Sequence, residues 1–146
     1  MEPCSSTMQL TRAADYGVRV MIHLATLPDH QRTRLPALAR ATGAPESFLS
    51  KVLQALCHAG FVISRRGQLG GFELLAPGRQ ASVRAVIEAI DGPIRLNLCL
   101  STGLSCKRKN HCPVHPVWGR AQEAMLDVLK AASVAELALQ AAAPRA

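Results

Sequence analysis

Apolar residues recur every three or four positions over the first third of the chain, which is the spacing of one face of an α-helix. This spacing predicts a first helix over residues 12–27, with Thr11 as its N-cap. Two shorter helices are predicted over residues 36–42 and 46–58, and they are joined by a turn that contains Gly43. The chain therefore opens with three helices, the last two of which are closely connected.

The hydrophobic period changes after Gly60. Residues 61–64 and 71–75 are short β-prone segments, and the stretch between them contains two arginines and two glycines. This pattern predicts a β-hairpin with a basic, glycine-rich tip. A fourth helix is predicted over residues 83–91, after Ser82.

The last third of the chain consists of a loop, residues 94–116, and a long predicted helix over residues 117–132. Apolar residues of this helix recur near heptad spacing: Trp118, Ala121, Met125, Val128 and Ala132. This apolar stripe is too long to be covered by the small core of the DNA-binding domain. Pairing with the same helix of a second chain is the simplest explanation of how the stripe is buried. A final Ala-rich helical segment, Val134–Ala142, is expected to fray.

The order of these elements predicts a mainly α fold with a small β-wing, a winged helix-turn-helix followed by a long C-terminal dimerisation helix. Residues 8–92 form the predicted DNA-binding domain, residues 93–116 a cysteine loop, and residues 117–142 the dimerisation helix with the C-terminal helix. In such a fold the second helix of the motif enters the major groove of DNA.

Charge and composition favour a polyanionic partner and argue against a membrane protein, a secreted protein or an enzyme. The 146 residues include 17 Lys and Arg against 10 Asp and Glu, and the pI is about 9.7. No segment approaches the roughly 20 apolar residues that span a bilayer, and the N-terminus lacks the pattern of a signal peptide. We expect a cytoplasmic protein without membrane contact. No phosphate-binding glycine motif or catalytic triad pattern is present, so an enzyme is not expected.

The candidate DNA contacts fall on the third helix and on the hairpin tip. The apolar face of the third helix is committed to the core, and its opposite face carries Ser47, Ser50, Lys51 and Gln54. Gln can pair with adenine, whereas Lys suits guanine or phosphate. At the hairpin tip, Arg65 and Arg66 are predicted to reach the narrow minor groove, where the potential is most negative.

Three cysteines, Cys99, Cys106 and Cys112, lie close together in the predicted loop. In the cytoplasm thiols stay reduced, so this grouping favours a metal or cluster site over disulfides. Thiolates bind both iron–sulfur clusters and zinc, and His115 could complete a Cys₃His zinc site. The short C-x-x-C spacing of structural zinc sites is absent, which favours the cluster. Cys57 is interpreted as a core residue.

The sequence resembles the Rrf2 family of iron–sulfur regulators, which includes IscR, NsrR and RirA, over most of its length. Four marks carry the resemblance, in this order: Met8-Gln9-Leu10-Thr11 leading into Asp15-Tyr16-Gly17-Val18-Arg19, Phe48-Leu49-Ser50-Lys51-Val52-Leu53, Arg66-Gly67 with Gly70-Gly71-Phe72, and the three cysteines. The resemblance implies a homodimeric transcriptional regulator, which is expected to be a repressor that binds operator DNA. Its binding would be gated by a cluster that senses iron, redox state or nitric oxide.

The resemblance also implies the ligands of that cluster. Cys99, Cys106 and Cys112 match the cluster cysteines of the family, and Arg66 matches its minor-groove arginine. The fourth ligand differs between members. His115 would suggest a 2Fe–2S cluster, whereas Asp15 of the partner subunit would suggest a 4Fe–4S cluster. The alternative is a zinc-stabilised or cofactor-free DNA-binding regulator.

Overall fold

A computed structural model of the chain describes residues 9–100 and 107–145, and it confirms the predicted fold class. The elements are α1 Arg12–Thr26, α2 Leu35–Thr42, α3 Glu46–His58, β1 Val62–Arg65, β2 Gly71–Leu74, α4 Ala76–Gln80, α5 Val83–Asp91, a 3₁₀ turn Leu98–Leu100, α6 His115–Ala131 and α7 Val134–Ala142. The bounds of α3 agree with the prediction, and α6 begins two residues before its predicted start.

Helix α1 is the centre of the hydrophobic core. The Thr11 hydroxyl accepts a hydrogen bond from the Ala14 amide at 3.0 Å and donates one to Asp91 at 2.6 Å, which ties the start of α1 to the end of α5. Because α1 packs against α3, α5 and α7, more than one of its faces is buried. A side chain at Gly17 would collide with Ile90, so this glycine permits the close approach of α5.

Helices α2 and α3 form the predicted helix-turn-helix. The turn between them uses Gly43 in the left-handed region, at φ 74°, and its amide closes α2 by donating to Ala39 at 2.9 Å. The inner face of α3 is buried through Leu49, Leu53 and their neighbours. This burial fixes which face of α3 remains outside.

Strands β1 and β2 pair antiparallel and form the predicted wing, with Val62 opposite Leu74 and Arg65 opposite Gly71. The segment before α2 pairs with β2 through an isolated antiparallel β-bridge, in which Thr33 and Phe72 exchange backbone hydrogen bonds of 3.0 and 2.8 Å. The base of the wing is therefore joined to the connection between α1 and α2.

Two features of the C-terminal half of the fold differ from the prediction. The short helix α4 was not predicted, because it contains Pro77 and Gly78, which usually interrupt helices. The expected fraying of the last helix is wrong. Ser133 and Glu136 form a capping box at the start of α7, and Val134 and Ala138 are buried against the core.

Helix α6 is the most exposed helix of the fold. None of its residues, all of them within the described chain, is buried, although one side of it packs against α5 and the 3₁₀ turn. Its apolar residues Val117, Trp118 and Val128 are exposed, Val128 to 70%. Among the described residues no helix is long and apolar enough to cross a bilayer.

Candidate nucleic-acid interface and cysteine loop

The outward face of α3 presents the polar residues predicted from its periodicity. Ser47, Lys51 and Gln54 are exposed, and Ser50 is half-buried beside them. His58, which the sequence reasoning missed, is exposed four residues after Gln54 and so extends the same face by one turn. Its helical spacing from Lys51 and Gln54 was the signal that could have identified it.

The two predicted arginines of the wing are exposed at its tip. Arg65 ends β1, and Arg66 follows it in the turn. Neither guanidinium has a hydrogen bond or ion pair with any other described residue, and the same is true of the Lys51 ammonium. These three cations are therefore free to contact phosphates or base edges.

A cluster of polar residues behind the wing was not predicted. The carboxylate of Glu73 on β2 is largely buried, lies 2.9 Å from Nδ1 of His30 and accepts a 3.4 Å hydrogen bond from Nε of Arg32. The hydrogen bond from His30, together with that from Arg32, holds the pKa of Glu73 below its ordinary value against the opposing effect of burial. The sequence pattern had indicated only a polar loop here.

The segment before α2, which carries His30 and Arg32, also contacts the tip of the wing through arginine side chains. Arg32 donates a 3.0 Å hydrogen bond to the backbone carbonyl of Leu69. Arg34 donates to the carbonyls of Gly67, at 3.3 Å, and of Gln68. Three successive carbonyls of the wing turn thus accept hydrogen bonds from the α1–α2 connection.

Asp15, one candidate fourth ligand, lies on the first turn of α1. Its carboxylate forms an ion pair of 3.0 Å with Arg19, and both side chains are about half exposed. The Arg19 guanidinium lies 6.0 Å from the ring centroid of Tyr16, which meets Phe48 of α3 edge to face at 5.7 Å. These contacts connect the exposed side of α1 to the first turn of α3.

The described part of the cysteine loop places Cys99 and Cys112 near α6. Cys99 lies in the 3₁₀ turn, which packs against α6, and Cys112 precedes α6 by three residues; both are half-buried. The Leu96 amide donates a 2.9 Å hydrogen bond to the side-chain oxygen of Gln122 on α6. Cys106 lies outside the described residues.

His115, the other candidate fourth ligand, is the first residue of α6. Its Nδ1 atom is buried and has no hydrogen-bond partner in the described chain. A buried imidazole nitrogen without a hydrogen-bond partner is a ligand atom suited to a metal or cluster, and His115 follows Cys112 by three residues. Among the residues described, no three His, Cys, Asp or Glu side chains come together as a metal site; this set does not include Cys106.

Comparison with known proteins identifies the family. The family model Rrf2, described as an iron-dependent transcriptional regulator, matches residues 10–140. The chain belongs to the Rrf2 family. Rrf2 proteins are DNA-binding transcriptional regulators, usually dimeric, and not enzymes, which confirms the prediction that this chain is not an enzyme.

Curated relatives and solved structures agree with this Rrf2 assignment. An HTH-type transcriptional regulator of Mycobacterium tuberculosis is 32% identical over 131 residues, covering 90% of this chain and 81% of the relative. The structure of CymR, the global cysteine regulator of B. subtilis, has a TM-score of 0.72 at 26% identity and covers 92% and 98% of the two chains. The structure of T. potens IscR has a TM-score of 0.71 at 23% identity over 94% and 93%, which shows the shared fold.

Proposed function

We propose that this Rrf2 protein is a homodimeric repressor whose binding to operator DNA is gated by an iron–sulfur cluster. Residues 8–92 would bind DNA, residues 93–116 would hold the cluster, and residues 117–142 would supply the dimerisation helix and the C-terminal helix. The observation that carries the proposal is the buried Nδ1 of His115, three residues after Cys112 at the start of α6, which has no hydrogen-bond partner among the described residues.

DNA recognition is assigned to α3 and the wing. The outward face of α3 would lie in the major groove, where Gln54 suits adenine and Lys51 suits guanine or phosphate. Arg65 and Arg66, which are exposed and have no side-chain partner among residues 9–100 and 107–145, would enter the adjacent minor groove. The net charge of +7 favours this association.

Dimerisation is assigned to α6. The stripe formed by Val117, Trp118 and Val128 is exposed in a single chain, although water is a poor environment for it. Pairing of α6 with its symmetry copy would bury this stripe and place two α3 helices at a fixed separation. Two half-sites must lie about one DNA turn apart, so a small change in that separation weakens both contacts.

The cluster is assigned to Cys99, Cys106, Cys112 and, as the fourth ligand, His115. When bound, an iron–sulfur cluster supplies a group that exchanges electrons and reacts with oxidants or nitric oxide. Asp15 already has an ion-pair partner in Arg19, whereas Nδ1 of His115 has no partner in the part of the chain that the structure describes, which favours His115 and hence a 2Fe–2S cluster.

The contacts of this chain supply a route from the cysteine loop to DNA. The loop is held to α6 through Leu96 and Gln122, α6 packs against α5, and α5 packs against both α1 and α3. Ordering or release of the loop would therefore shift the balance between two arrangements of the dimer.

A second candidate is a regulator that binds DNA without a cluster. The observation that favours it is the likeness to CymR, which is described as a global cysteine regulator. In this case the cysteines would remain free thiols or would bind zinc as a structural element. Neither the free-thiol form nor the zinc-bound form would sense through an iron–sulfur cluster.

The deciding experiment is purification of the full chain without oxygen, followed by measurement of iron, acid-labile sulfide and zinc per chain. DNA binding of the loaded and the metal-free protein is then compared on a duplex that the wild type selects from a randomised pool. Equal iron and sulfide with a visible chromophore, and different affinities of the two forms, support the proposal. Zinc alone, no metal after reconstitution, or equal affinities would contradict cluster gating.

A further inference from the structure

We propose that Arg32 and Arg34 are positioning residues that hold the wing in the orientation needed for DNA binding. This inference rests on the proposed function for its effect on DNA, whereas its structural part concerns the free protein. Arg32 lies on the connection between α1 and α2, and Arg34 is the N-cap residue of α2; neither belongs to the hairpin.

The contact geometry gives these arginines an unusual set of acceptors. The backbone carbonyls of Gly67, Gln68 and Leu69 are consecutive in the wing turn, and each accepts a hydrogen bond from Arg32 or Arg34. The Gly67 carbonyl also accepts a 3.0 Å hydrogen bond from the Gly70 amide, whereas without the arginines the Gln68 and Leu69 carbonyls would be left to water. The guanidinium groups join the tip of the wing to the start of α2 and to the segment before it.

The segment that carries the arginines is itself fixed. Between them, Thr33 exchanges two backbone hydrogen bonds with Phe72 on β2. A side chain at Gly71 would lie 2.8 Å from the Thr33 carbonyl oxygen, so the glycine permits this approach. Arg32 also donates to the largely buried Glu73 on the same strand. The arginines therefore reach the tip from a support that is anchored to the base of the wing.

This arrangement sets the position of the two predicted DNA contacts in the wing. Arg65 and Arg66 immediately precede the three carbonyls, and their guanidinium groups have no partner in the described chain, so the backbone of the wing sets the position from which these side chains extend. A wing that is already ordered in the free protein loses less conformational entropy when it binds DNA. Arg32 and Arg34 would thereby raise affinity without touching a base.

Substitutions at position 34 separate positioning from direct phosphate contact. Arg34→Lys keeps the positive charge but replaces the planar guanidinium, whose Nη2 atom donates to both carbonyls, with an ammonium on a flexible four-carbon stem, whereas Arg34→Gln also removes the charge. Arg32→Gln tests the second arginine. The matched control is Arg145→Gln, which removes one charge from an exposed position after α7.

Two measurements are made on each full-length variant. Hydrogen exchange of residues 65–72 is followed in the free protein, and affinity is measured on the selected duplex over a range of salt concentrations. We expect faster exchange in the wing for R32Q, R34K and R34Q, and binding weaker by about threefold to tenfold. R145Q should leave exchange in the wing unchanged.

The outcomes distinguish the proposal from its alternatives. If R34K binds as tightly as the wild type while R34Q is weaker and has a salt slope lower by about one, Arg34 contacts phosphate directly and the positioning role is wrong. Unchanged exchange in all three variants, or faster exchange with unchanged affinity, also overturns it. A wild type that selects no duplex would instead contradict the proposed function, and exchange alone would then decide whether the arginines hold the wing.

Discussion

Nδ1 of His30 lies 2.9 Å from Oε1 of Glu73, a pairing that joins an exposed histidine to a largely buried carboxylate on β2. Glu73 also accepts a hydrogen bond from Arg32, which in turn donates to the tip of the wing. This carboxylate thus lies at the centre of the contacts that join the wing to the α1–α2 connection. Its ionisation is expected to matter for the stability of that junction.

The stability contributed by Glu73 should depend on pH in a defined direction. Because the hydrogen bond from His30 lowers the pKa of Glu73 below its ordinary value of 4.5, the ionised form stabilises the folded state. This contribution is fully present above the unfolded pKa and is lost as the pH falls through the folded pKa. We expect Glu73→Gln to lower the melting temperature at pH 7, and the difference from wild type to shrink below pH 4.5.

The control for this prediction is Glu123→Gln, which removes an exposed carboxylate of α6 that has no hydrogen-bond partner in the described chain. It should change the melting temperature little at neutral pH. A constant difference between Glu73→Gln and wild type down to pH 3 would show that the charge of Glu73 contributes nothing.

The core predicts a clear contrast between two leucines. Leu53 of α3 is fully buried, whereas Leu69 at the wing tip is 85% exposed. Leu53→Ala should lower the free energy of unfolding by about 2–5 kcal/mol, because it leaves a cavity between α3 and the core. Leu69→Ala should change it by less than about 0.5 kcal/mol. Urea unfolding followed by circular dichroism measures both, and similar losses in the two variants would contradict the described packing.

Local pattern was sufficient for the parts of the fold in which one helix face carries large apolar side chains. Helix α3 was predicted with its observed bounds because Leu49, Val52, Leu53 and Leu56 have helical spacing and Gly43 precedes them. Local pattern also predicted the bounds of α7, Val134–Ala142, but not the burial of this helix, which depends on small residues that fit against α1 and α4. An Ala-rich segment contains no local pattern from which that tertiary contact could be predicted.

The candidate site, like the fold, was predictable only where it depends on local sequence pattern. The outward face of α3 follows from helical geometry once its inner face is known. The contacts of Arg32 and Arg34 with the wing were not predictable, because they depend on two segments that approach each other only in the folded chain. Ligation by Cys106 stays a prediction, since it lies outside the described residues.

Two residues of the candidate interface should affect DNA binding in different ways. Arg66→Ala should lower the salt slope of binding by about one and weaken all duplexes alike, because it removes a phosphate or minor-groove charge. Gln54→Ala should keep the slope and relax preference at one base pair, at a cost of about 1–3 kcal/mol. Fluorescence anisotropy on selected and random duplexes measures both effects. Arg145→Ala, which removes a charge from an exposed position after α7, is the control; if it lowers the slope as much as Arg66→Ala, the wing is not specifically involved.

Helix α6 should control the oligomeric state. Val128 is 70% exposed in the single chain, so Val128→Asp should leave the fold of one chain intact. In a dimer that pairs α6 with its copy, two carboxylates would be buried without partners, which should raise the dissociation constant at least about 100-fold. Sedimentation equilibrium measures this change. Glu123→Ala, on the polar side of the same helix, should leave the dimer intact, and a monomeric wild type would refute the assignment of α6.

The fourth ligand can be assigned by comparing two histidines and one aspartate. Since Nδ1 of His115 is buried and no other described residue is its hydrogen-bond partner, His115→Ala should reduce the iron and sulfide retained after anaerobic reconstitution and alter the visible spectrum. His111→Ala, four residues earlier and exposed, is the matched control and should retain the wild-type spectrum. Asp15→Asn removes the ion pair with Arg19, so its melting temperature is measured alongside its spectrum. If Asp15→Asn folds but loses the cluster while His115→Ala keeps it, the ligand is the carboxylate and a 4Fe–4S cluster replaces the 2Fe–2S assignment.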